Sequence, residues 1–168
     1  AKAISIHGRT RAQMYKGFAD WTQITKVKNN PRMKIPVFGN GDVNSPEKAL
    51  EMKNKFGLDG AMIGRASIGN PWFFNQVKEY IKTGKHIEKP SIEDRIETAK
   101  RHLEMAIKWK GERLGILETR RHYSNYFRGI PNFRPYRTKL VTTDSAHGLF
   151  EIFSELETKK HTIEEAIA

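Results

Sequence analysis

The sequence predicts an α/β fold followed by an all-α one: about three βα units from the C-terminal part of a TIM (β/α)8 barrel, then a helical bundle. Two stretches carry the first half of that reading. Ile35–Val43 (IPVFGNGDV) and Leu58–Pro71 (LDGAMIGRASIGNP) are similar beats, each a short apolar run that ends in glycine-rich polar residues and then opens a helix. Such runs, bounded by turn residues, read as strands buried on both faces of a parallel sheet. The second half rests on the spacing beyond Pro90, where the apolar periodicity is helical only.

The elements are taken in chain order. Ala3–Ile6 (AISI) is a first short strand, with His7–Arg11 as the loop at its carboxyl end. Asp20–Val27 sets Trp21, Ile24 and Val27 at helical spacing, with Asp20 as N-cap. Between the two beats, Ser45 caps a helix, Pro46 suits its first turn and Gly57 closes it. Asn70-Pro71 is expected to cap a further helix to Thr83, with Trp72, Phe73, Val77, Tyr80 and Ile81 on its apolar face. Right-handed crossovers then place three parallel strands side by side, with their loops on one face. Three strands cannot close a barrel, and open edges expose unpaired backbone. The chain is therefore expected to be the later part of a barrel whose first strands are missing, and to self-associate through its strand edges.

Gly84–Pro90 is polar and holds Gly and Pro, so residues 1–84 are read as the barrel portion, 85–90 as a linker and 91–168 as a helical domain. Ser91 with Asp94 predicts a capping box. Ile92, Ile96, Ala99, Leu103 and Ile107 mark one helix face, ending near Gly111. Leu114–Phe127 gives a second helix, broken by Gly129-Ile130-Pro131, and Ser145–Leu156 a third, with Leu149, Phe153 and Leu156 inward. Lys159–Ala168 is read as a short helix or a frayed end.

Composition narrows the function. The 168 residues carry a net charge of +11, which favours polyanions, nucleic acid first and anionic membrane second. No apolar run approaches the ~20 residues of a membrane span, and Ala1 leads straight into a strand-like segment, so a cytoplasmic protein without a leader or membrane partner is expected. Cysteine is absent, which excludes disulfides, thiolate metal sites and cysteine nucleophiles from these residues; no metal site is expected.

The loops suit a phosphate. Gly39, Gly41, Gly64 and Gly69 let backbone N–H groups approach an anion, Arg65 adds charge, and a helix opening at Asn70-Pro71 would present its positive end. Plain tight βα turns are the alternative. His7, Arg9 and Arg11 suit phosphate, a flavin edge or nucleic acid, or form a solvated basic turn. Charge is uneven farther on: Arg95–Lys139 has a balance of +8 and Asp144–Glu165 one of −4. Arg120, Arg121, Arg128, Arg134 and Arg137 interleave with His122, Tyr123, Tyr126, Phe133 and Tyr136. That mixture suits phosphate contacts with base stacking, unless the aromatics form core.

His7–Trp21 (HGRTRAQMYKGFADW), Ile35–Ala49 (IPVFGNGDVNSPEKA) and Asp59–Phe74 (DGAMIGRASIGNPWFF) closely resemble the tRNA-dihydrouridine synthase family, its bacterial NifR3-like branch in particular. Arg120–Arg137 (RRHYSNYFRGIPNFRPYR) resembles it too. The resemblance implies an FMN-binding (β/α)8 barrel joined to a helical domain that cradles tRNA. It implies reduction of particular uridines to 5,6-dihydrouridine, with NADPH recharging the flavin. By the same resemblance Asn40, Gly41 and Asp42 match one FMN phosphate loop, Gly64 and Arg65 the other, and His7 a histidine near the flavin. Arg9, Arg11, Arg120, Arg121, Arg128, Arg134 and Arg137 are the expected RNA contacts. The family's cysteine general acid and a flavin-contacting lysine lie on earlier barrel loops, so no catalytic residue is expected among these 168. The alternatives are an RNA-binding fragment without catalysis and another phosphate-binding TIM-barrel oxidoreductase.

Overall fold

The computed structural model describes residues 1–166. The chain forms two compact units: Ala1–Ser67 with Pro71–Ile87, and Ile68–Asn70 with the chain from Glu88 onward.

In the first unit, strands β1 (Ile4–His7), β2 (Val37–Asn40) and β3 (Gly60–Met62) alternate with helices α1 (Thr22–Lys28), α2 (Pro46–Phe56) and α3 (Phe73–Thr83). The strands are parallel and lie in the order β1-β2-β3. Ile4 stands opposite Val37, His7 opposite Asn40, and Asn40 opposite Met62. This is the arrangement of consecutive units of a (β/α)8 barrel, as the sequence predicts. The strands are not buried on both faces, however. Val37 and Gly39 are buried, while Phe38 and Asn40 on the opposite face are only half-buried and Met62 is exposed. The covered face packs on Trp21, Ile24, Ala49, Met52, Leu58, Phe73 and Val77. Among the described residues nothing comparable covers the other face, and β1 pairs only with β2.

Capping explains where the helices start and stop. Ser45 Oγ accepts from the Lys48 N–H at 3.1 Å, Pro46 opens α2, and Gly57 closes it in the left-handed conformation. α1 begins later than expected, with Trp21 rather than Asp20 in the capping position. Trp21 is drawn in because its indole N–H donates to Gly41 O at 3.0 Å and its ring is buried. Asp20 still serves the helix start, since Oδ1 accepts from Thr22 N–H at 2.9 Å and from its hydroxyl at 2.6 Å. The last helix of the unit also starts late. A single 3-10 turn at Arg65–Ser67 comes after β3, and α3 opens only at Phe73, with Trp72 at its cap. Asn70-Pro71 therefore does not present a helix N-terminus.

The second unit is helical: α4 (Ile92–Lys110), α5 (Glu112–Tyr126), α6 (Arg134–Thr142), α7 (Ala146–Thr158) and α8 (Lys160–Glu165). The Ser91/Asp94 capping box is present, with Ser91 N–H donating to Asp94 Oδ2 at 3.0 Å and Asp94 N–H to Ser91 Oγ at 3.1 Å. α4 and α5 pack closely because Gly115 has no side chain: a Cβ there would lie 2.7 Å from the Ile107 amide nitrogen. Ile96, Leu103, Ile116, Tyr123, Phe127, Leu149, Phe153 and Leu156 are buried at the centre. α6 has no counterpart in the predicted elements. Of its residues only Leu140 is buried, so it lacks an apolar stripe. The end of the Lys159–Ala168 reading lies outside the described residues. Among those residues, no helix is long and apolar enough to cross a membrane.

Candidate functional site

The parallel register brings His7, Asn40 and Met62 into one row at the carboxyl ends of β1, β2 and β3. Their positions are fixed by the backbone. Asn40 Nδ2 donates to Met62 O at 2.7 Å, and Gly8 N–H donates to Asn40 O at 2.8 Å. His7 Nδ1 accepts from the Arg9 amide at 2.9 Å, so the neutral imidazole carries its proton on Nε2.

Asp42, just beyond β2, gathers the surrounding loops. It sits in the left-handed region at φ 57°, where Asp is one of the few non-glycine residues tolerated. Its Oδ2 accepts from the Ala19 amide at 2.8 Å, and Oδ1 lies 2.8 Å from Arg9 Nη1 and 3.3 Å from Arg65 Nη2. Burial alone would raise its pKa. The Arg9 hydrogen bond, the Ala19 amide and the charges of Arg9 and Arg65 together outweigh that and hold the carboxyl below its ordinary range. Arg9 is turned inward: its side chain is 5% exposed, and it donates to Lys16 O at 3.3 Å and Gly17 O at 2.6 Å. This guanidinium clamps the Gly8–Ala19 loop and is committed within the protein, unlike the RNA contact expected of it. Arg11 is exposed.

The glycines divide into two groups. Gly39 is closed by packing, since a Cβ there would lie 2.2 Å from the Trp21 ring; Gly69 is closed by His122 O at 2.3 Å. At both positions the space a side chain would take is filled by the protein itself. Gly41 needs its φ of +127°, and Ala19 Cβ would lie 2.5 Å from a Cβ there. At Gly64 nothing lies within 4 Å of a Cβ position. Beside that open turn, the Arg65 side chain is 59% exposed, with its guanidinium 4.8 Å from the Tyr15 ring centroid. Open backbone next to an exposed guanidinium fits a phosphate dianion. The Asp42 carboxylate would repel a phosphate and instead holds the arginines in place.

In the helical unit the basic block is partly internal. Arg120 donates to Thr143 O at 3.1 Å and pairs with Asp144, so it ties α5 to the α6–α7 connection. Arg95 donates to Pro90 O at 3.1 Å and to Arg128 O at 3.2 Å. The side chains of Arg121, Arg128, Arg134 and Arg137 are exposed. The aromatics expected to stack on bases lie elsewhere: Tyr123, Tyr126 and Phe133 are buried core. Tyr136 donates to Glu155 at 2.7 Å and accepts from Lys159 at 2.7 Å. Hydrogen bonds from Lys159 and Tyr136 bring the Glu155 pKa down to about 2.

One cluster has no sequence signal beyond the presence of its residues, because it joins positions far apart in the chain. His122 Nδ1 accepts from the Gly69 amide at 3.0 Å, the His102 and His122 rings meet edge-on at 4.5 Å, and His102 Nδ1 lies 3.1 Å from the Tyr126 hydroxyl. Burial, then the neighbouring His102 and Arg121, bring the His122 pKa down to about 4.

Three parallel βα units whose carboxyl-end loops carry Asn-Gly-Asp and Gly-Arg turns, with a helical bundle after them, define a TIM-barrel portion with a helical domain. Within that class the chain belongs to the dihydrouridine synthase family, which it matches over residues 1–164. It is 41% identical over 134 residues to a probable tRNA-dihydrouridine synthase of Rickettsia conorii, covering 80% of this chain and 40% of the relative. It is 36% identical over 138 residues to tRNA-dihydrouridine synthase B of Pseudomonas putida, covering 82% and 40%. Against a probable tRNA-dihydrouridine synthase 1 of Synechocystis the identity is 36% over 145 residues, covering 86% and 40%. The chain thus spans about 40% of the length of these relatives.

Proposed function

We propose that this chain supplies the flavin-phosphate loops and an RNA-binding helical domain to an FMN-dependent reductase of uridine in tRNA, with NADPH as reductant. Residues 1–84 would serve as the flavin-holding barrel portion, 85–90 as a linker and 91–168 as the tRNA-binding domain. The observation that carries the reading is the open Gly64 turn beside the exposed Arg65, close to the His7–Asn40–Met62 row.

The residues present fit the cofactor. Arg65 would neutralise the phosphate, the Gly41 and Gly64 backbone would approach it, and His7 would offer its Nε2 proton toward the flavin. FMN, when bound, supplies the hydride that reduces the uracil ring. Asp42 fixes Arg65 and, through Arg9, the loop over the strand ends. Arg11, Arg121, Arg128, Arg134 and Arg137 would meet the RNA backbone, in keeping with a net charge of +11. Arg9 and Arg120, which are committed to internal partners, would act on RNA binding only by holding loops in place. The 168 residues hold no cysteine to serve as a thiol general acid, so their share of the work is binding and orientation.

Fluorescence titration of FMN with the chain tests the cofactor reading. Saturable quenching is expected, with affinity about tenfold weaker for Arg65→Ala, the loss of one charge-assisted contact. Equal affinity for the two proteins would refute it.

A further inference from the structure

We propose that Tyr15 is a positioning residue for Arg65: its ring holds the guanidinium beside the open Gly64 turn, where a phosphate would meet it. The proposal rests on the reading of Gly64 and Arg65 as phosphate ligands.

Arg65 has little else to fix it. Its side chain is 59% exposed, and among the described residues its ion pair, Nη2 to Asp42 Oδ1, is long at 3.3 Å. An arginine at the surface carries much rotamer freedom, and a ligand that immobilises it meets that entropy cost. Tyr15 removes part of the freedom beforehand. The guanidinium carbon lies over the Tyr15 ring, 4.8 Å from its centroid, within the ~6 Å over which the negative face of an aromatic ring attracts a cation. The attraction acts between the ring quadrupole and the positive charge, so the N–H donors that Asp42 leaves unused stay available to an anion.

Tyr15 is itself held by its neighbours in the chain. Lys16 is fixed at both of its backbone groups: its N–H donates to Gln13 O at 2.8 Å, and its carbonyl accepts from Arg9 Nε at 3.3 Å. Gln13 in turn closes on Thr10, whose amide donates to Gln13 Oε1 at 2.8 Å. Met14, in the left-handed region at φ 49°, turns the chain just before Tyr15. Arg9 also donates to Gly17 O at 2.6 Å and pairs with Asp42 at 2.8 Å. Asp42 therefore anchors both partners, Arg65 directly and the Tyr15 loop through Arg9. All of these residues lie in the first compact unit.

Burial does not account for the place of the ring, since Tyr15 is 71% exposed. Nor does its hydroxyl, which makes no hydrogen bond among the described residues. The contact left to it is the ring face on Arg65.

The test compares Tyr15→Phe and Tyr15→Leu with the wild-type chain. Phe keeps the ring face and drops the hydroxyl; Leu keeps an apolar side chain and drops the ring. Tyr15→Gln serves in place of Leu if Leu does not fold. Two readouts are taken. One is the Arg65 Nε–H resonance, assigned by its absence from Arg65→Ala and displaced in wild type by the ring current of Tyr15. The other is the ratio of FMN to riboflavin affinity, which isolates the phosphate. For Leu, the resonance should move toward that of a free arginine and the ratio should fall about threefold; for Phe, both should match wild type. Where wild type prefers FMN, a resonance or a ratio unchanged in Leu, or a Phe variant that behaves like Leu, would overturn the proposal. A wild-type chain that binds riboflavin as tightly as FMN refutes the phosphate reading instead. The resonance then decides alone, with displacement in Leu but not in Phe sustaining the hold of Tyr15 on Arg65 and any other pattern overturning it.

Discussion

Replacing Asp42 with alanine should destabilise the barrel unit by about 3 kcal/mol, the lower end of the loss expected when a buried ion pair is deprived of one partner. The lower end applies because the Asp42 side chain is 23% exposed while Arg9 is only 5% exposed. Three losses coincide. The Arg9 guanidinium keeps its carbonyl partners but loses its counter-ion, the Ala19 amide loses its acceptor, and alanine must adopt the left-handed conformation Asp42 occupies. The Arg65 contact adds little, since that side chain is 59% exposed. Asp42→Asn isolates the charge, because Asn keeps an acceptor for Ala19 and tolerates the backbone; about 1–2 kcal/mol is expected. Urea unfolding of wild type, Asp42→Ala, Asp42→Asn and Arg9→Met with Asp42→Asn measures these differences, and the double variant should recover part of the loss. Because the carboxyl titrates below its ordinary range, the effect should be constant from pH 8 to 5 and fade only in stronger acid. A loss under 1 kcal/mol for Asp42→Ala, or equal losses for Ala and Asn, would refute the clamp.

The same geometry sets other outcomes. In filter binding of tRNA across a salt series, Arg137→Ala and Arg128→Ala should each reduce the log–log slope by about 0.7–0.9. Arg120→Ala should leave the slope unchanged and lower stability, because Arg120 pairs with Asp144; identical slopes for all variants would remove Arg128 and Arg137 from the RNA reading. His122 takes up its proton near pH 6.5 when unfolded and only near pH 4 when folded. Stability is therefore full above pH 6.5 and declines as pH falls toward 4, by about 1–2 kcal/mol after discounting for partial exposure. His122→Asn should flatten that dependence in urea titrations at pH 7 and pH 5, and equal slopes would contradict it. The open edges of β1 and β3 should drive association of this chain; sedimentation showing a compact monomer at every concentration would contradict that.

The parts of the fold legible in sequence are those governed by local chemistry. Ser45, Pro46, Gly57 and the Ser91/Asp94 pair act within a few residues of themselves, and α2 and α4 lie where those residues place them. The parallel order of the three strands comes from chain connectivity. The hidden parts depend on distant partners. Trp21 is pulled into the core by Gly41, which shifts the start of α1. Gly69 is held by His122, a residue far along the chain, and α3 opens only at Phe73. α6 buries too little to carry a stripe. At the candidate site, residue type singles out Arg65 and Gly64 as candidates but cannot separate them from Arg9 and Gly39, which use the same chemistry for internal contacts.

The central claim is that the Gly64–Arg65 turn holds the phosphate of a flavin. Phosphorus NMR of FMN observes that group directly. The account predicts that the phosphate resonance shifts and broadens as the chain is added, and that Arg65→Ala abolishes most of the shift while the protein stays folded. A resonance unmoved by the wild-type chain, or moved equally by both proteins, would contradict it.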